Sequence, residues 1–184
     1  GVEVSTAITI VFTWIHTLFI PVLGLEIATM SLTGRFIGAR DPNNASDSVF
    51  SGLSLASVYA LIISSVCLFA PSEMVGMFLE TDSAAEINDL ALWGTQLYAF
   101  MVFIMAWSAI LGGALRGAGD TYGTMTISAV FWWLQYAIVV ILIRLFELSP
   151  GIVLGIHIFS SPLLLFAMIG RFRIGAWRKF ELIG

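Results

Sequence analysis

The stretch TYGTMTISAVFWWLQYAIVVILIRL, Thr121 to Leu145, decides the fold class. Its one charge, Arg144, stands next to its end. As a helix it would be about 38 Å long, enough to cross roughly 30 Å of hydrocarbon. Working outward, four more stretches share its character: Ala84–Leu115, Ala45–Phe69 ended by Pro71, Thr6–Ala39, and Gly151–Arg171. Five spans cannot close a β-barrel, and lipid satisfies no backbone group, so each must be a helix. The Thr6–Ala39 stretch would measure about 51 Å, which exceeds the hydrocarbon thickness. Pro21 and Gly24 sit in its middle, which predicts a kink there and final turns that project into water. The expected class is an all-α integral membrane protein of about five transmembrane helices over residues 1–171, with a basic tail at 172–184.

Composition supports that class. Of the 184 residues, 59% are hydrophobic and 11% charged, with a mean hydropathy of +0.97. A soluble domain carries about 25% charged residues because its surface faces water. The formal net charge of -4 comes without a basic patch, so nucleic acid is not an expected partner; the bilayer is. The lone cysteine, Cys67, lies in an apolar run and reads as a packing residue, not as part of a disulfide or metal site. No signal peptide is visible, and the start Gly1-Val2-Glu3-Val4 reads as a position partway through a longer protein.

The positive charges predict orientation. Arg35 and Arg40 follow the first span, Arg116 the third, and Arg171, Arg173, Arg178 and Lys179 the fifth. These seven share one side and Arg144 stands on the other, which puts the seven in the cytoplasm with the C-terminus. The acidic set Glu73, Glu80, Asp82, Glu86 and Asp89 then falls outside, and Trp177 with the basic tail is expected to anchor at the interface. Between spans, Asp41-Pro42-Asn43-Asn44 reads as a loop with Asn44 as the N-cap of the second helix. Asp82-Ser83 before Glu86 resembles a capping box, and Asp120 is placed to cap the fourth span. No internal repeat is expected.

Polar residues inside the spans are the candidate site. Glu26 lies near the middle of the first helix, where a charge is costly unless it meets a cavity or a partner. It reads as a cation or proton site, or as a structural bond to a neighbouring helix. His16 lies nearly three turns earlier on roughly the same face, and reads as a second coupling candidate or an interfacial bystander. Gln96, Tyr98, Trp132, Gln135 and Tyr136 are candidates for a polar, aromatic substrate cavity, with packing as the alternative. His157 reads as structural. Arg116 and Asp120 sit at helix ends, where a cap and a phosphate or carboxylate partner suffice, and Gly113 with Gly117 permits close helix contact.

Two loop-bearing segments say more. One runs Gly24-Leu25-Glu26-Ile27-Ala28 and then Gly34-Arg35-Phe36-Ile37-Gly38-Ala39-Arg40-Asp41. The other is Gly113-Ala114-Leu115-Arg116-Gly117-Ala118-Gly119-Asp120-Thr121. Together with Arg171-Phe172-Arg173-Ile174-Gly175-Ala176-Trp177-Arg178, they resemble the multidrug and toxic compound extrusion family. That family has a "GAGD" ending to the second helix of each half and "LRGAGDT" between its fourth and fifth helices. The resemblance implies a twelve-helix, two-lobed transporter of which these spans are helices eight to twelve. It makes Gly24, Gly34, Gly38, Arg116, Gly117, Gly119 and Asp120 structural motif residues. The chain departs from the pattern at Thr124, where the family usually has Pro, and at Arg35, where it often has Gln or Asn. No carboxylate stands in the membrane core of the third span, where one branch of the family uses an acidic residue for its coupling cation.

The function so implied is secondary active efflux of small cationic organic compounds in exchange for H+ or Na+, by alternating access. No cofactor, metal or catalytic residue is expected, and the missing N-terminal lobe would be a partner. The setting implied is a prokaryotic plasma membrane. A lipid-linked saccharide flippase would need cationic residues facing its cavity, and no Lys or Arg lies mid-span. A small membrane scaffold is the other alternative. An intramembrane enzyme is disfavoured, for the spans hold no paired histidines, carboxylate dyad or serine–base motif.

Overall fold

The computed structural model describes residues 2–76, 85–146, 150–175 and 177. The elements are α1 (Val2–Gly38), α2 (Pro42–Phe69), α3 (Pro71–Gly76), α4 (Ala85–Gly117), α5 (Thr121–Phe146) and α6 (Pro150–Ile174). Among the described residues there is no strand. Among the described residues, four segments are long and apolar enough to cross a membrane: Thr13–Gly38, Pro42–Phe69, Ala91–Gly117 and Thr121–Leu145. The fifth expected span is a helix too, α6, and the short α3 was not foreseen. The Asp82-Ser83-Glu86 cap, Glu80, Arg178, Lys179 and the side chain of His157 lie outside the described residues.

Helix α4 is the axis of the bundle. It packs on α1, α2, α3, α5 and α6, and 56% of its apolar window is buried, against 6% for α5. The α1–α4 contact is close because glycines remove the side chains that would hold the backbones apart. A Cβ on Gly117 would stand 2.1 Å from the Met30 carbonyl oxygen, and one on Gly34 would stand 2.9 Å from the Gly117 oxygen. Gly24 has open space around it, and α1 continues as one helix through Gly24 and Pro21. Pro21 has no N–H for the carbonyl one turn back. Beside it the Tyr59 hydroxyl donates to the Leu18 oxygen at 2.6 Å, which ties α2 to the backbone of α1. At the same end Trp14 donates to the Met74 oxygen at 3.0 Å.

The ends of α1 and α4 are built alike, although no repeat was expected. Arg40 N–H bonds the Ile37 oxygen and Asp41 N–H the Phe36 oxygen, both at 2.9 Å. Gly119 N–H bonds the Arg116 oxygen at 3.0 Å and Asp120 N–H the Leu115 oxygen at 2.9 Å. Each is a Schellman turn whose penultimate residue is left-handed: φ is +58° at Arg40 and +95° at Gly119. Gly38-Ala39-Arg40-Asp41 and Gly117-Ala118-Gly119-Asp120 are therefore two copies of one turn, the first with arginine where glycine is cheaper. Arg40→Gly is expected to stabilise the protein by about 0.5–1 kcal/mol, read as a higher thermal midpoint in detergent.

Two end assignments are corrected. Asp41, not Asn44, is the N-cap of α2: its carboxylate accepts the Asn44 N–H at 3.1 Å, with Pro42 in the first turn. The Asn44 bonds hold the Asp41 carboxyl below its ordinary range, so the cap is charged at neutral pH. Trp177 is not an interfacial anchor. It is 1% exposed, donates to the Phe172 oxygen at 2.9 Å and stacks on the Phe172 ring at 4.9 Å. Gly175, at φ +71°, turns the chain back over α6 so that this contact forms.

Candidate functional site

A cavity of about 220 Å³ lies among α1, α4, α5 and α6. Glu26 and Phe19 enter from α1, Ser108 and Arg116 from α4, Trp132 from α5, and Ser161 and Met168 from α6. The rest of its wall is mostly thioether, aromatic and aliphatic. On α4 the cavity face follows Met101, Met105, Ser108, Gly112 and Arg116, a helical spacing of three to four residues.

The charges at this site are paired. Arg116 donates through Nη2 to Glu26 Oε1, with the Glu26 side chain 15% exposed and Arg116 37%. An apolar surround makes a lone carboxylate costly, which is why Glu26 meets a guanidinium. The contact depends on Gly113, for a Cβ there would stand 2.8 Å from Glu26 Cγ and 2.9 Å from its carbonyl oxygen. A second pair closes the same basic end. Arg171 of α6 donates to Asp120 through Nε at 2.6 Å and Nη2 at 2.9 Å, a bidentate grip on a carboxylate only 3% exposed. A Cβ on Gly123 would fall 2.5 Å from Asp120 Oδ1 and 2.9 Å from Arg171 Nε, so glycine there makes room for the guanidinium. The side chain expected to cap α5 clamps α6 instead. Thr124 is buried, and its hydroxyl donates to the Asp120 oxygen at 3.0 Å.

The structure brings together only part of the expected site. Glu26 and Trp132 share the cavity; His16, Gln96, Tyr98, Gln135 and Tyr136 are not in its wall. His16 is exposed on α1. Gln96 is exposed, lying about 140° round the helix from Met101. Tyr98 is 2% exposed and faces the core near Ile15, its hydroxyl 3.5 Å from that residue's oxygen. Gln135 is buried in α5, while Tyr136 points outward at 64% exposure beside Trp133. Of the motif glycines, Gly34 and Gly117 serve helix contact and Gly119 the turn; Gly38 is exposed. Sequence reasoning missed Phe19, Met101, Met105, Ser108, Ser161 and Met168; the α4 members were legible as a stripe in register with Arg116. It also placed Arg171 among the tail charges, where the partner of Asp120 went unnoticed.

Residues 1–142 match the MatE family model. Among curated proteins the chain is 23% identical over 167 residues to the "Probable multidrug resistance protein NorM" of Thermotoga maritima, covering 88% of this chain and 34% of that protein. It is 29% identical over 117 residues to the "Multidrug resistance protein NorM" of Burkholderia vietnamiensis, covering 62% of this chain and 25% of that one. A further NorM, from Mannheimia succiniciproducens, is 28% identical over 116 residues, 63% of this chain and 24% of its own length. The chain thus spans about a third or less of the curated relatives it matches. With its long apolar helices, this multi-pass membrane chain belongs to the MatE family of transporters.

Proposed function

We propose that these residues are the C-terminal lobe of an efflux transporter that exchanges small cationic organic compounds for H+ or Na+. The observation that carries this reading is Glu26, the one carboxylate in a mostly apolar and aromatic cavity, where it is paired with Arg116. Aromatic faces and a carboxylate suit an organic cation, and the same carboxylate can take a coupling ion. Coupling would follow from competition: each cation must bind differently in the two access states to move the equilibrium between them. An N-terminal lobe would complete the cavity. Bacterial relatives suit a prokaryotic plasma membrane, and the positive-inside rule supports placing the basic end and C-terminus in the cytoplasm.

The test is energy-dependent ethidium efflux by the longer chain that carries these residues, in a strain without its own pumps, while the proton or sodium gradient is collapsed in turn. Wild type is expected to pump under one gradient. Glu26→Gln is expected to reach the membrane yet fall to background. Normal efflux by Glu26→Gln would make that residue structural and move coupling to the other lobe.

One observation favours the flippase reading. Arg116, at the end of α4, does line the cavity. Its guanidinium is neutralised by Glu26, however, and a pyrophosphate needs uncompensated cations. If wild type pumps no cation, that reading replaces the first.

A further inference from the structure

The cavity holds a carboxylate already engaged by a cation of its own chain. The Glu26–Arg116 pair is net neutral, and Arg116 is its more exposed member. A cationic guest entering the cavity therefore meets a guanidinium before it meets a free carboxylate. Building on the efflux reading, we propose that Arg116 is an internal competitor for Glu26: a cationic substrate reaches the carboxylate only by displacing the guanidinium. Arg116 thereby sets how tightly the lobe holds its cargo.

Three features support this exchange. Glu26 is held in place, because its Cγ and carbonyl lie against the backbone of Gly113 with no room for even a methyl group. Arg116 hangs from a long side chain in the last turn of α4, beside Gly112, where a Cβ would be no closer than 3.8 Å to Nη1. The partner free to leave is the guanidinium. Once displaced it has a resting place, since a cation is favoured at the carbonyl end of a helix. Finally, the guest's attachment is already lined: Phe19, Phe131 and Trp132 supply aromatic rings, and Met101, Met105 and Met168 supply polarisable thioethers. At about 220 Å³ the cavity is smaller than the roughly 300–1,000 Å³ of a drug-sized site. It would grip the charged head of a substrate, with the remainder outside it.

The experiment measures equilibrium ethidium binding by fluorescence, on the complete transporter in detergent or nanodiscs. Glu26→Gln leaves Arg116 unpaired and is expected to weaken binding by about tenfold, while Arg116→Gln frees the carboxylate and is expected to tighten it by about tenfold. The double variant Glu26→Gln/Arg116→Gln should fall between the two. Arg116→Gln should also slow ethidium release and lower efflux, since the guest has lost its competitor. Should Arg116→Gln fail to fold, Arg116→Lys carries the test. Its ammonium keeps the charge but loses the planar fork, so ethidium affinity should rise by about threefold. Weaker or unchanged binding in the Arg116 variants would reduce Arg116 to an architectural tie and overturn the proposal. Failure of the efflux reading looks different: no ethidium binding in wild type or in any variant, which overturns both.

Discussion

Gly117→Ala is expected to cost about 3 kcal/mol or more, and Gly117→Val to prevent the lobe from folding. A Cβ at this position would sit 2.1 Å from the Met30 carbonyl oxygen, 2.9 Å from its carbon and 3.0 Å from its Cα. All three are backbone atoms, so no rotamer change can relieve the overlap. The two helices would have to part along the most extensive contact in the bundle, and Glu26 would move away from Arg116. The matched control is Gly24→Ala on α1, which meets no atom within 4 Å. It should gain about 0.5–1 kcal/mol from helix propensity. Thermal unfolding in detergent, with monodispersity by size exclusion, separates the two. Equal behaviour of the two variants would mean that α1 and α4 do not approach as closely as described.

Asp120→Asn is the second large effect, at about 2–3 kcal/mol. The variant keeps the shape of the side chain but removes the charge that holds Arg171 by two hydrogen bonds. The figure sits below the cost of breaking a fully buried pair because the Arg171 side chain is 32% exposed and regains some hydration. Arg171→Lys should also lower the thermal midpoint, by less than Asp120→Asn, since an ammonium cannot grip both carboxylate oxygens as a fork does. The consequence reaches the cavity, for this clamp holds the last turn of α6, about two helical turns beyond Leu164 and about one beyond Met168 in the wall. Unfolding curves of the two variants that overlay wild type would mean the pair contributes nothing.

Local rules account for what could be read early. Uninterrupted apolar runs dictate helices, because in lipid a backbone can be satisfied only within itself; that argument located α1, α2, α4, α5 and α6 to within a few residues. Turn chemistry is local as well, and Gly117-Ala118-Gly119-Asp120 announced its break. Charge bias grouped Arg35, Arg116 and Arg171 at one end, where the fold has them. Glu26 and Arg116 were each recognisable as charges in need of a partner.

Their partnership was not recognisable, nor was that of Asp120 with Arg171. Those pairs are 90 and 51 residues apart, and nothing in a one-dimensional pattern says which helix faces which. Crossing geometry does: Gly113 and Gly117 let α4 approach α1 at a register that seats Arg116 beside Glu26. The same packing turns Tyr98 and Gln135 away from the cavity and brings Met101, Met105 and Met168 to it. A helix that is apolar all round carries no mark of its inner face. Composition therefore specified the five long helices, whereas close packing between distant segments assigned each polar side chain its partner and each face its neighbour.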